Sequence, residues 1–90
     1  MRIRWTLAAA ADLEHIREYL TEHHPNLAQS TIFELYGAIQ TLKSFPLLGR
    51  PGREEGTREF IFERLPYIAV YRVKNEAVEV LHIYHDSQQR

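Results

Sequence analysis

The sequence predicts an α+β domain with the element order β-α-α-β-β-β, a largely antiparallel sheet and a helical hairpin packed on one face of that sheet. Residues 7–45 carry apolar side chains at helical spacing, residues 58–85 are rich in β-branched and aromatic side chains, and a short alternating stretch precedes the helices. Because ninety residues support one small hydrophobic core, we expect a single domain over residues 1–90.

The first half of the chain predicts a strand followed by two helices. Residues 2–6, RIRWT, alternate charged with bulky or β-branched side chains and predict a short strand. Thr6 is a suitable N-cap for a helix over residues 7–22, and Pro25 suits the first turn of a second helix that ends by Pro46. Apolar residues at intervals of three and four lie on one face of each helix. They are Ala9, Leu13, Ile16 and Leu20 in the first helix, and Ala28, Ile32, Leu35, Ile39 and Leu42 in the second.

Three further strands are expected in the second half of the chain, over residues 58–62, 66–73 and 77–85. Residues 74–76 join the last two and have the length of a hairpin connection. In the middle strand both alternating sets of side chains are apolar or aromatic, so we expect this strand to be buried on both faces. Pro66 opens it at a position where no ladder hydrogen bond needs the missing N–H.

Composition and charge exclude several classes of protein. The chain has no cysteine, which excludes disulfides, thiol chemistry and cysteine-ligated zinc. No apolar run reaches the roughly 18 residues of a membrane span, and the N-terminus lacks the apolar core of a signal peptide. We therefore expect a cytoplasmic protein without a membrane partner. The formal net charge of -1 predicts weak long-range attraction to nucleic acids.

Residues 47–73, LLGRPGREEGTREFIFERLPYIAVYRV, combine a loop rich in glycine and proline with two strands. The succession of GRPGR, GTRE and PYIAVYRV resembles the RelE/ParE family of small bacterial toxins, and the resemblance extends from the strand with Trp5 to the strand that ends near His85. It implies a RelE/ParE-like fold and the toxin of a type II toxin–antitoxin module. It also implies a cognate antitoxin as partner, with a partly disordered segment that wraps the helical hairpin and the sheet edge.

The resemblance leaves the cellular target open. Members of the ParE branch poison DNA gyrase by binding it, whereas members of the RelE branch cut mRNA on the ribosome with basic residues on the sheet. The positions that match those cations are Phe60, Phe62 and Ile68, with Asp86 near the place of a late arginine. Hydrophobic side chains and a carboxylate cannot bind phosphate, so the sequence favours the ParE-like function. A non-toxic binding module with the same fold is a third alternative.

His85 and Tyr84 are the candidate catalytic residues if the chain is an mRNA endonuclease, and His85 is the best acid or base. The resemblance places a histidine of some RNA-cleaving relatives here, next to Tyr84, and an imidazole transfers protons near neutral pH. A structural role for His85, as a hydrogen-bonded residue at the end of a strand, is equally open.

Five arginines are candidates for binding a partner or target. They are Arg50, Arg53, Arg58, Arg64 and Arg72. Arg50 and Arg53 lie on the stiff loop, where a guanidinium group that is already held in place loses little entropy on binding an acidic segment. Arg58 and Arg72 could instead join Glu59 in a cross-strand network of ion pairs.

The sequence predicts no cofactor, no metal and no small-molecule substrate. Residues 49–52 contain two glycines, but they follow a helix and precede a strand, the reverse of the order in a phosphate-binding P-loop. His82 and His85 are three residues apart on one strand and point to opposite faces, so we do not expect them to share a metal ion.

Overall fold

A computed structural model describes residues 1–88, and residues 89 and 90 of the predicted domain lie outside this range. The elements are β1 (Arg2–Trp5), α1 (Leu7–His23), α2 (Pro25–Gln40), a 3-10 turn (Thr41–Lys43), β2 (Arg50–Pro51), β3 (Arg58–Ile61), β4 (Tyr67–Lys74) and β5 (Ala77–His85). They confirm the predicted order and add the two-residue strand β2 where the sequence predicts a loop. Within the described range, neither helix combines the length and the apolar composition needed to cross a lipid bilayer.

The five strands form one sheet in the order β1-β5-β4-β3-β2. The strands β2 to β5 pair in antiparallel fashion, and β1 runs parallel to β5 at the edge. The sheet is therefore largely antiparallel, as predicted. Strand β4 lies at its centre, and the side chains from Tyr67 to Tyr71 are all buried, which confirms the prediction of burial on both faces.

The helical hairpin packs on one face of the sheet, as predicted. Thr6 caps α1, since its Oγ1 accepts the N–H of Ala9 at 3.1 Å, and Pro25 is the first residue of α2. The apolar stripe of α2 faces the sheet, and its Leu35 and Ile39 are fully buried. The main core cluster consists of Ala9, Leu35, Ile39, Phe62, Tyr67, Ala69, Val80 and Ile83.

Strand β5 contains a bulge, because the neighbouring residues Val70 and Tyr71 of β4 pair with His82 and Val80. Leu81 is the extra residue, and it has no partner in this register. The bulge resets the alternation of side chains, so that an apolar residue on each side of it faces the helices.

Side chains cap the edge of β5 beyond the end of β1. A carboxylate oxygen of Asp12 in α1 accepts the N–H of Ile83 at 2.9 Å, and Oε1 of Gln88 accepts the N–H of His85 at 2.8 Å. The hydroxyl group of Thr6 donates to the carbonyl of Val80 at 2.9 Å. Backbone groups along this edge are therefore already hydrogen-bonded within the chain.

Tyr71 fastens the loop that follows the helices to the central strand. Its side chain is fully buried; the hydroxyl donates to the carbonyl of Pro46 at 2.8 Å and accepts the N–H of Gly49 at 2.8 Å. A Cβ atom on Gly49 would lie 2.8 Å from the carbonyl oxygen of Glu59 and 2.8 Å from the ring of Tyr71. The loop therefore requires glycine at this point of close approach.

Replacement of Ile39 by asparagine is expected to unfold the domain or leave it only marginally stable. Ile39 is fully buried, so an amide at this position loses aliphatic packing without gaining a partner, at a cost of about 3–5 kcal/mol. Thermal unfolding followed by circular dichroism measures the effect. Phe33→Asn is the matched control on the same helix, because Phe33 is 67% exposed. Equal destabilisation by both changes would contradict the assignment of the buried face.

Replacement of Tyr71 by phenylalanine is expected to lower the free energy of unfolding by about 1–3 kcal/mol, because the N–H of Gly49 and the carbonyl of Pro46 lose their shared partner. Urea denaturation measures this free energy. Tyr67→Phe is the control in the same strand, since the hydroxyl of Tyr67 has no hydrogen-bond partner among residues 1–88. If both variants lose the same stability, the Tyr71 hydroxyl is not the anchor of the loop.

Candidate partner-binding site

Arg50 covers a buried carboxylate at the β2 edge of the sheet. It lies directly opposite Glu59 of β3, and its Nη2 and Nε donate to one carboxylate oxygen at 2.9 Å and 3.1 Å. The side chain of Glu59 is 11% exposed, whereas that of Arg50 is 58% exposed. The surface at this point therefore presents the guanidinium group and not the acid.

Arg72 and Arg4 share a second buried carboxylate, that of Glu79 in β5. Glu79 pairs in register with both arginines, with Arg4 on one neighbouring strand and Arg72 on the other. Nε of Arg72 donates to Glu79 at 2.5 Å, and Nη2 of Arg4 binds the second carboxylate oxygen. The hydrogen bond from Arg4, followed by that from Arg72, holds the pKa of the Glu79 carboxyl below its usual value, although burial opposes this shift.

Arg58 fastens the loop instead of pairing with an acid. Its Nη1 donates to the carbonyl of Gly49 at 2.7 Å, next to the hydrogen bonds of Tyr71. The expected ion-pair network of Arg58, Glu59 and Arg72 is not formed, so that interpretation was wrong. Consecutive residues of a strand point to opposite faces. Of the neighbours Arg58 and Glu59, only Glu59 therefore lies on the face where the buried acids and their arginines are found.

Arg53 and Arg64 are the exposed members of the predicted set. Arg53 follows β2, and Arg64 lies in the connection between β3 and β4. Neither side chain forms a hydrogen bond or an ion pair with another residue in the range 1–88. Both guanidinium groups are therefore available to a carboxylate of another molecule.

An open groove of about 410 Å³ lies beside β2, on the face of the sheet away from the helices. Arg50, Arg53 and Tyr84 line it together with the acids Glu59 and Asp86. The structure thus brings two of the five predicted arginines and Tyr84 to one place. The other three arginines do not line this groove.

His85 points away from Tyr84, because the two residues are consecutive in β5. Its Nδ1 accepts the N–H of Ser87 at 3.1 Å, and its ring lies edge-on to that of Tyr67 with centroids 5.5 Å apart. It borders a depression between α1 and β5, and no arginine or lysine is among the described residues that line this depression. Among residues 1–88, no group of three His, Asp or Glu residues could hold a metal ion.

Phe60 and Phe62, which match positions of cations in RNA-cleaving relatives, belong to the core and do not lie on the open face of the sheet. Their rings meet edge to face with centroids 5.0 Å apart, and both pack against the cluster beneath the helices. The residues of β3 that face away from the helices are Glu59 and Ile61, and Ile68 of β4 lies beside Ile61. Strand β3 therefore offers no cation on the open face. The residues found there are Glu59 and Ile61, and not Phe60 and Phe62, the positions that the resemblance indicated.

Arg4 and Glu79 were not predicted as site residues from the sequence. An acid within the buried stretch AVEV requires a cationic or hydrogen-bonding partner, so Glu79 was a usable signal. Its partner could not be identified, because Arg4 is 75 residues away and reaches Glu79 only through the parallel pairing of β1 with β5.

Comparison with known proteins agrees with this architecture. A family model described as the ParE toxin of type II toxin–antitoxin system, parDE, matches residues 3–90. The Sinorhizobium fredii protein Y4kP, a candidate toxin by its name, is 39% identical over 88 residues, which are 98% of this chain and 91% of that protein.

Solved structures of toxin–antitoxin systems show the same fold. A chain from the chromosomal ParDE system of P. aeruginosa matches with a TM-score of 0.86 at 30% identity, over 94% of this chain and 95% of that chain. A chain from the toxin–antitoxin complex RelBE2 of Mycobacterium tuberculosis matches with a TM-score of 0.58 at 27% identity, over 93% of this chain and 95% of that chain. The family match, the curated relative and the shared fold agree: this chain belongs to the ParE toxin family of type II toxin–antitoxin systems, within the wider RelE/ParE group.

Proposed function

We propose that this protein arrests bacterial growth in the cytoplasm by binding DNA gyrase and performs no chemical reaction of its own. One observation carries the proposal: the imidazole of His85 and the predicted arginines do not converge on one point. His85 borders a depression without arginine or lysine among its described lining, whereas Arg50 and Arg72 lie on the opposite face, each bound to a buried carboxylate. RNA cleavage needs an acid or base and cations around the same phosphate.

The degree of structural similarity also supports a ParE-like mode of action. The TM-score is 0.86 with the chain of the ParDE system and 0.58 with the chain of RelBE2, at similar identity and coverage. The TM-score compares backbone traces, so the closer likeness in fold is to a chain of a ParDE system, and this supports the ParE-like target.

A cognate antitoxin is the second partner in this proposal, and the helical hairpin offers an apolar surface for it. Large apolar side chains are exposed on both helices, namely Tyr19 (56%), Leu27 (54%), Phe33 (67%) and Tyr36 (48%). A groove between the helices is lined by Ala28, Ile32 and Phe33. Because exposed apolar patches of this kind mark protein interfaces, we infer that a segment of the antitoxin folds over the hairpin and the adjoining sheet edge as it binds.

A ribosome-dependent mRNA endonuclease is the alternative, with His85 as the residue that transfers a proton. The observation in its favour is that the imidazole is 45% exposed and that its Nδ1 lies 2.8 Å from the hydroxyl oxygen of Ser87, a contact that can fix the tautomer. A non-toxic binding module would use the same hairpin surface without a cellular target.

Expression of the chain in a bacterial host is expected to stop growth, to induce the SOS response and to produce gyrase-linked DNA breaks. Because no reaction passes through His85, the His85→Ala variant is expected to retain toxicity within about twofold. Growth curves, an SOS reporter and mapping of DNA breaks measure these effects. A translating extract with the purified protein is expected to show no codon-specific mRNA cuts.

His82→Ala is the matched control, since it removes an imidazole of similar exposure, 52%, from the same strand. Cuts in ribosome-bound mRNA that disappear with His85→Ala but not with His82→Ala would establish the endonuclease instead. Normal growth in the presence of a folded product would establish the non-toxic module.

Replacement of Phe33 by serine is expected to weaken the complex with the product of the adjacent antitoxin gene by roughly tenfold to a hundredfold, because an aromatic anchor is lost from the hairpin surface. Isothermal titration calorimetry measures the dissociation constant. Phe45→Ser is the control, since Phe45 is similarly exposed, 63%, but lies outside the hairpin. An affinity that falls equally in both variants, or in neither, would place the antitoxin elsewhere.

A further inference from the structure

Four basic residues form a rectangle on the open face of the sheet, where β1, β5 and β4 lie side by side. We name Arg2, Arg4, Arg72 and Lys74 the cation quartet. The register of the strands gives two rows, Arg2, Ala77 and Lys74 in the first, and Arg4, Glu79 and Arg72 in the second. Strands are about 4.8 Å apart and alternate residues about 6.7 Å apart, so the backbone positions of the quartet enclose roughly 7 by 10 Å.

The exposed groups of this rectangle are positive, although the chain as a whole has a formal net charge of -1. Glu79 at its floor is 8% exposed and is covered by Arg4 and Arg72, whose side chains are 48% and 41% exposed. Arg2 and Lys74 are exposed, and their side chains form no hydrogen bond or ion pair with another residue in the range 1–88. Glu76, an exposed acid in the turn two residues after Lys74, leaves the cations in excess.

We propose that the cation quartet binds an extended acidic segment of a partner polypeptide that carries Asp or Glu at alternate positions. Alternate side chains of an extended chain lie on one side, about 6.7 Å apart, which matches the spacing of the two rows. One acid of the bound segment lies over the small side chain of Ala77, between the cations of the first row. The next lies over the second row, whose guanidinium groups Glu79 already holds in place, so that less side-chain entropy is lost on binding.

A polypeptide fits this surface better than a nucleic acid does. Affinity for nucleic acid grows with the number of phosphates that are neutralised and depends on long-range attraction. This surface has only the four cations of the quartet, and the net charge of the chain is -1. A short acidic segment needs only the local charge. The quartet is also separate from the apolar hairpin surface, so this proposal does not depend on gyrase being the target.

The experiment measures binding of three probes to the purified chain at low salt: a labelled peptide that alternates glutamate and serine, a labelled single-stranded oligonucleotide of equal length, and inorganic phosphate. Fluorescence anisotropy gives the affinity of the two labelled probes, and backbone amide shifts in NMR spectra report all three. The peptide is expected to bind most tightly and to shift the amides of Ala77 and Glu79. The double variant Arg2→Ser/Lys74→Ser is expected to bind the peptide about tenfold more weakly, as the loss of two exposed ion pairs predicts.

Arg17→Ser/Lys43→Ser is the matched control, because it removes two exposed cations from α1 and from the 3-10 turn, outside the quartet and outside the candidate partner-binding site. Its affinity for the peptide is expected to stay within about twofold of the parent. Tighter binding of the oligonucleotide would overturn the proposal in favour of a nucleic-acid surface. Amide shifts outside the quartet, equal weakening in the two double variants, or no binding of the peptide would overturn it altogether. The shifts in the unchanged chain test the proposal even if a variant fails to fold.

Discussion

The helical hairpin covers one face of the five-stranded sheet, and in the described part of the chain the other face is covered only by side chains of the sheet itself. This constraint assigns nearly every strand residue its role. Phe60 and Phe62 point to the helices and form part of the core, while Ile61 between them points away. Tyr84 and His85 are separated in the same way. Residues that are neighbours in sequence therefore belong to different surfaces, and a functional site must be read along alternate positions.

The open face combines buried acids with exposed arginines. Glu59 and Glu79 are shielded from water by the guanidinium groups that they bind, so a protein with almost no net charge displays locally positive surfaces. A buried carboxylate left without its partner would be costly, which ties the positions of the arginines to the stability of the sheet. The arginines at these points therefore stabilise the fold and also set the charge of the surface that a partner would meet.

Much of this fold could be predicted from the sequence. The spacing of apolar residues gave both helices, Thr6 marked a helix start, and the two apolar parities of β4 indicated its central place. Strand β2 could not be predicted, because two residues, one of them Pro51, carry no alternating pattern. The parallel pairing of β1 with β5 joins the two ends of the chain, and a local pattern holds no information about such a contact.

The candidate site was predicted less well, for reasons of geometry. Alternation alone separates Arg58 from Glu59, so that error was avoidable. The bulge at Leu81 is different, because no residue type in AVEVLHIYH predicts it. After the bulge, the alternate residues that face the helices are the opposite set from those before it. The loop contact of Arg58 also depends on the anchoring by Tyr71, a long-range interaction that the spacing of residues does not reveal.

The hydrogen bonds at the margins of the sheet have a consequence for how other proteins can attach to this one. Along β5 the amides of Ile83 and His85 are already bound by Asp12 and Gln88, and at the opposite margin Pro51 has no amide hydrogen to offer. At these two places an incoming strand would find few main-chain partners, so extension of the sheet there is disfavoured. Strand β1 ends the sheet on one side and pairs only with β5 among the described residues, so its outer edge is left for main-chain pairing with another strand.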